Sequence, residues 1–146
     1  MSIDDIFKPT SCDVAQALIG MQIQRLGDSN IYTVTNTKAY LGPSKQTASK
    51  PLLRYGGILM FNMRGFPHFC VTTGTEAQWD YVLINGLANH QTRLTSAGAV
   101  SNQLGLDFEY EGRRFADNFQ LQGQTQSSQF IRDNVATCLG GYSLLR

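Results

Sequence analysis

The run Ile31-Tyr32-Thr33-Val34-Thr35-Asn36-Thr37-Lys38-Ala39-Tyr40-Leu41-Gly42-Pro43 decides how this chain is read. Ile31, Tyr32, Thr33, Val34, Thr35 and Thr37 are β-branched or aromatic, and Gly42-Pro43 stops the strand they predict. Strand side chains alternate, so Tyr32, Val34, Asn36, Lys38 and Tyr40 are expected on one side. A cation beside an aromatic then marks the C-terminal end of that side.

Before this strand, Ser11 to Gly20 predicts a short helix capped by Ser11 or Asp13, followed by an amphipathic strand over Met21 to Leu26. The turn Gly27-Asp28-Ser29-Asn30 makes the two strands a hairpin. After Pro43, the polar stretch to about Leu52 reads as a loop. Strands are expected at Ile58 to Met63, Phe69 to Thr73 and Trp79 to Leu87, the first two separated by Arg64 to His68. Ser96 to Gly105 predicts a second helix, capped by Ser96 or Thr95. Phe115, Phe119 and Leu121 fit a strand or an irregular segment, and Gln120 to Gln129 a loop or exposed hairpin. Phe130 to Leu145 closes the sheet. The sum is a single α+β domain, mostly antiparallel, over all 146 residues.

Composition narrows the function classes. Hydrophobic residues are 42% of the chain, and no apolar run approaches a membrane span, so no membrane partner is expected. The N-terminus, MSIDDIFKP, lacks the basic-then-apolar layout of a signal peptide, and a cytoplasmic protein is expected. Cys12, Cys70 and Cys138 show no CxxC spacing, so reduced and mostly buried thiols are expected. With His68 and His90 as the only histidines, neither a metal nor a cofactor is implied. Net charge is +1, yet Lys38, Lys45, Lys50, Arg54 and Arg64 follow one another without an intervening acid. They form either a positive surface or a solvated loop.

Four segments in order, DVAQALIGMQIQR, TVTNTKAYLGP, WDYVLINGL and LTSAGAVSNQLGLD, resemble the alkyladenine (3-methyladenine) DNA glycosylase family from about Asp13 to Asp107. The resemblance implies a curled, mostly antiparallel sheet forming a partial barrel, with a few peripheral helices. It also implies base excision repair: removal of alkylated purines from DNA by base flipping. Lys38 stands where the family has the glutamate that activates water, and an ammonium does not take that proton. Tyr40 matches the tyrosine that stacks on the flipped base, Ser49 a histidine, and Phe61 one aromatic of a Tyr-x-Tyr pair. Thr72 falls at an asparagine, Asn85 at an arginine, and Arg64 at the wedge that fills the vacated stack. Lys45, Lys50 and Arg54 are candidate backbone contacts. The phosphate-binding lysine of the second helix is missing from Ala97 to Val100.

The resemblance therefore implies a shortened, divergent homologue that binds DNA, damaged or abasic, or a nucleobase, with glycosylase activity lost or altered. Two readings of Lys38 stand side by side: a Schiff-base nucleophile giving an abasic-site lyase, and a cation at the rim of a disused pocket. Asp80 and Glu76 are alternative carboxylates, and His68 and Cys70 are structural. A third reading, from another class, is a protein-interaction module, a homodimer through the C-terminal third.

Overall fold

The computed structural model describes residues 3–40, 55–74, 80–123 and 135–139. At its centre runs β2, Ile31–Tyr40, as the β-branched run predicts. β1 (Gln22–Arg25) pairs with its start in an antiparallel hairpin, with Ile23 opposite Tyr32. On the other side β2 pairs with β5 (Asp80–Ala88). β3 (Ile58–Met63) and β4 (Phe66–Thr73) extend the sheet beyond β5, and β7 (Phe119–Gln122) extends it beyond β1. A two-residue β6, Arg93–Leu94, pairs with β5. β8 (Val135–Leu139) joins the C-terminal half of β2 as the parallel partner in an otherwise antiparallel, curled sheet. The expected α+β class and half-barrel curl are both present.

Two helices lie on this sheet. α1, Ser11–Leu18, is as expected except at its cap, which is Thr10. Ser11 instead donates its hydroxyl to the Tyr40 carbonyl at 2.9 Å, and Thr37 donates to the Ala15 carbonyl at 2.8 Å, which pins α1 to β2. α2, Ala97–Leu104, has the expected cap: Ala99 N–H donates to Ser96 Oγ at 3.2 Å. Its C-terminal carbonyl at Leu104 accepts from the Arg25 guanidinium at 2.6 Å, the favourable sign for a helix end. Tyr110 holds the other side of Arg25 by a hydroxyl contact and a cation–π contact.

The main core joins Val14 and Leu18 of α1 to Ile23, Val34, Ile58, Phe69, Val82 and Leu87 of the sheet, and to Val100 and Leu104 of α2. Phe115 and Phe119 complete it. Both are fully buried, 4.9 Å apart, and stack on Phe69, while Phe7 meets Phe115 edge-on at 5.0 Å. Phe7 comes from a 3-10 helix at Ile3–Phe7 that the sequence did not signal. Aromatic packing of this kind contributes about 0.5–1.5 kcal/mol per pair beyond area burial.

The expected single face of β2 is overturned at its middle. The β2–β5 register shifts on both sides of Asn36: Val34 opposes Leu87, Asn36 opposes Gly86, and Thr37 opposes Ile84. Thr35 is thus extra on β2 and Asn85 extra on β5. Each such bulge reverses the alternation. Tyr32 and Val34 face the main core, and so does Ala39, whereas Tyr40 joins a second cluster. Gly86 makes the crossing possible: a Cβ there would lie 2.7 Å from Asn36 Cβ and 2.5 Å from the Thr35 hydroxyl. Any side chain there forces Asn36 or Thr35 to shift.

Two further expectations are corrected. β4 begins at Phe66, not Phe69, because Arg64-Gly65 alone turn the hairpin, with φ of 55° and 85°. Pro67 is tolerated within β4 because the pairing with β5 begins only at Cys70, leaving no ladder bond for a missing N–H to break. Cys12, expected as a reduced thiol, is disulfide-bonded, while Cys70 is free and buried. Ser49, Lys45, Lys50, Arg54, Glu76 and most of Gln120 to Gln129 lie outside the described residues.

Candidate functional site

The bulges at Thr35 and Asn85 gather the expected site on the second face of the sheet. Leu59, Phe61, Cys70, Tyr81 and Leu83 form a small cluster there, with Ala97 of α2 beside it and Tyr40 packed on it. Alternation puts Lys38 with Tyr40, Thr72 with Cys70, and Asn85 with Leu83. The register sets them in rows: Lys38, Leu83, Cys70 and Leu59 cross the sheet side by side, and Tyr40, Tyr81 and Thr72 form the next row. Phe61 opposes His68 in β3–β4. Lys38, Tyr40, Phe61, Thr72 and Asn85 are therefore brought to one face.

That face is filled. Tyr81 stacks on Tyr40 with ring centroids 4.8 Å apart and planes 10° apart, and Phe61 meets the same ring edge-on at 4.9 Å. Tyr81 thus fills the space between Tyr40, expected to stack on a base, and Phe61, and we call this filled space the slot. Thr72 is also engaged, its hydroxyl accepting from Gly57 N–H at 2.8 Å. Burial raises the Tyr40 phenol pKa above its usual value, with a smaller contribution from Cys70, and burial raises the Cys70 thiol well above its own. Neither group supplies an anion at neutral pH. Asp80 alternates to the side opposite Tyr81, so it is not the replacement base for this face. Among the described residues no group of three or more His, Cys, Asp or Glu side chains is placed to hold a metal ion.

Lys38 is partly buried, and its charge reaches His68. Burial first, then Lys38, lowers the His68 pKa from its usual value, so this imidazole is neutral at neutral pH. His68 Nδ1 is buried and has no hydrogen-bond partner among the described residues, and the same is true of Asn85 Oδ1.

Beyond His68 the surface opens. A cavity of about 780 Å³ lies between the β3–β4 turn and the first turns of α2. Arg64, Phe66 and His68 line it from the hairpin, and Ala97, Gly98 and Asn102 line it from α2. Its walls are mainly apolar, and none of its lining residues is acidic. Phe66 is 61% exposed, with its Cβ 3.8 Å from where a Cβ on Gly98 would stand. Arg64 is the one described non-glycine residue with positive φ. Its turn is held by Gly65 N–H donating to Asn62 Oδ1 at 3.0 Å. A left-handed Arg costs about 1–2 kcal/mol, and two-residue hairpin turns favour Asn or Gly at that position. This cavity is what sequence reasoning missed. The exposed aromatic at Phe66 and the non-glycine at the first turn position were the available signals.

No family model matches this sequence, and no curated protein matches it. Among the described residues no helix is long and apolar enough to cross a membrane.

Proposed function

We propose that the chain is a divergent relative of the alkyladenine DNA glycosylases that binds nucleic acid at damaged or abasic positions and has lost water-activated base excision. The observation that carries this reading is Arg64. A residue held in a left-handed conformation against its preference points to a use for its side chain, because shape alone would be served better by Asn or Gly. Arg64 is exposed at a hairpin tip beside exposed Phe66, at the position the resemblance gives to the wedge. A guanidinium and a phenyl ring can contact a phosphate and an unstacked base together.

The loss of excision rests on Lys38. It replaces the water-activating glutamate, and Asp80, the carboxylate nearest in sequence among the described strands, points to the other side of the sheet. The test is binding to a duplex carrying an abasic-site analogue, against the undamaged duplex, at low and moderate salt. Preference for the abasic duplex that weakens with salt is expected, and no preference together with no salt dependence overturns the reading. Release of free base from an alkylated duplex would overturn the loss of excision.

A second reading has the sheet register in its favour: Lys38 lies in one row with Leu83 and Cys70, and His68 is two residues before Cys70 on the same face of β4. In a lyase, the Lys38 amine would add to the C1′ aldehyde of an abasic site and expel water, and His68 would accept the C2′ proton as the 3′ phosphate leaves. Borohydride reduction traps the imine, so absence of a Lys38-dependent covalent adduct removes this version. A cytoplasmic location belongs to the same proposal. The Cys12 disulfide weighs against it, since reducing compartments keep thiols free.

A further inference from the structure

We infer that the cavity between the β3–β4 turn and α2 is a binding site for one phosphorylated nucleoside, separate from the closed Tyr40–Phe61 slot. The inference rests on the nucleic-acid reading above for the identity of its ligand. The site itself is argued from four side chains. Phe66 offers an exposed ring face to a base, a contact that every base can make. Asn102 is exposed on α2 and its amide has no partner among the described residues, which leaves both donor and acceptor for a base edge. Arg64 has no ion-pair partner among the described residues and suits a phosphate. His68 adds a buried nitrogen, Nδ1, that has no partner among the described residues. A buried polar atom of that kind ordinarily finds one, and a ligand hydroxyl or amino group entering the cavity would supply it.

Size and charge agree with this chemistry. About 780 Å³ falls within the roughly 300–1,000 Å³ of small-molecule sites. The lining carries a guanidinium and an imidazole with no carboxylate to repel an anion. Ala97 and Gly98 of the first turn of α2 also line the cavity, where a helix start favours an anion. The ligand is either a free nucleotide or a single unpaired nucleotide within a strand, which present the same base and phosphate.

The test titrates the intact protein with adenosine monophosphate, with inorganic phosphate, and with a duplex carrying one unpaired adenosine. Three variants are compared: Phe66→Ala, Asn102→Ala, and Gly98→Leu, which fills the cavity from a position where a Cβ meets only ordinary contacts. Unchanged thermal unfolding of Asn102→Ala and Phe66→Ala, both exposed, keeps the comparison free of folding defects. Saturable binding of the monophosphate, weaker binding of phosphate alone, and a loss of roughly tenfold or more in each variant are expected. Tighter, equally variant-sensitive binding of the bulged duplex identifies the strand as the source; binding of the monophosphate alone identifies the free nucleotide and sinks the nucleic-acid reading. Salt-dependent duplex binding untouched by all three variants overturns the cavity inference and leaves that reading standing. No binding of either nucleotide ligand overturns the inference.

Discussion

Two regions of the second sheet face differ in what fills them. In the slot, Tyr40, Tyr81 and Phe61 meet each other, and the ring that a base would stack on already has a partner. Between the hairpin and α2, Phe66 has no ring against it among the described residues, and Arg64 is strained but exposed. His68 stands at the boundary, close to Lys38 and lining the cavity. The difference teaches that a residue's type and position in sequence do not settle whether it is available to a ligand. Tyr40, expected as a stacking platform, has the environment of a packed aromatic. The groups free to meet a ligand lie a few residues further along the hairpin.

The largest expected effect comes from emptying the slot. Tyr81→Ala removes a side chain that is 2% exposed and should cost about 3 kcal/mol in urea unfolding. A cost under about 1 kcal/mol would mean that the slot is open rather than filled. Next is Gly86→Ala, which sets a methyl against Asn36 and Thr35 at the double bulge and should cost about 2 kcal/mol. A neutral result would mean that β2 and β5 pair in regular register, with Lys38 back on the side of Val34.

Arg64→Asn separates shape from function. It relieves the left-handed strain and should stabilise by about 1 kcal/mol while weakening abasic-duplex binding and flattening its salt dependence. Stabilisation with unchanged binding would reduce Arg64 to a turn residue. The smallest effect concerns the boundary. Lys38→Gln removes a charge that disfavours the imidazolium, so the His68 pKa should rise toward its usual value in an NMR titration, and burial should keep it below. In the unaltered protein the unfolded chain binds the His68 proton more readily than the folded one. This contribution to stability is therefore intact above the usual imidazole range and is lost as pH falls through and below it. An unmoved His68 pKa in Lys38→Gln would show that the two residues do not sense each other.

Much of the fold was legible because local chemistry and global fold agree. The β-branched run predicts β2, and the Ser96 cap with Gly105 brackets α2. Three features were not legible, each for a physical reason. The bulges depend on Gly86 meeting Asn36 across strands 50 residues apart in sequence, which no local pattern encodes. The Phe7–Phe115–Phe119 packing joins residues more than 100 positions apart, two of them in weakly patterned 3-10 segments. The Cys12 disulfide depends on tertiary proximity, which the absence of CxxC spacing does not exclude. At the site, the resemblance named Lys38, Tyr40, Phe61, Thr72 and Asn85, which the sheet register brings to a common face, but it was blind to Tyr81, an ordinary strand aromatic in sequence that packs between Tyr40 and Phe61 in space.

The most direct test of where this protein meets its ligand is an amide chemical-shift titration of the intact protein with adenosine monophosphate. Shifts concentrated at Gly65, Phe66, His68, Gly98 and Asn102 are expected. Shifts concentrated instead at Lys38, Tyr40, Phe61 and Tyr81 would show that the slot opens to bind, and would contradict the assignment of the ligand to the cavity between the hairpin and α2.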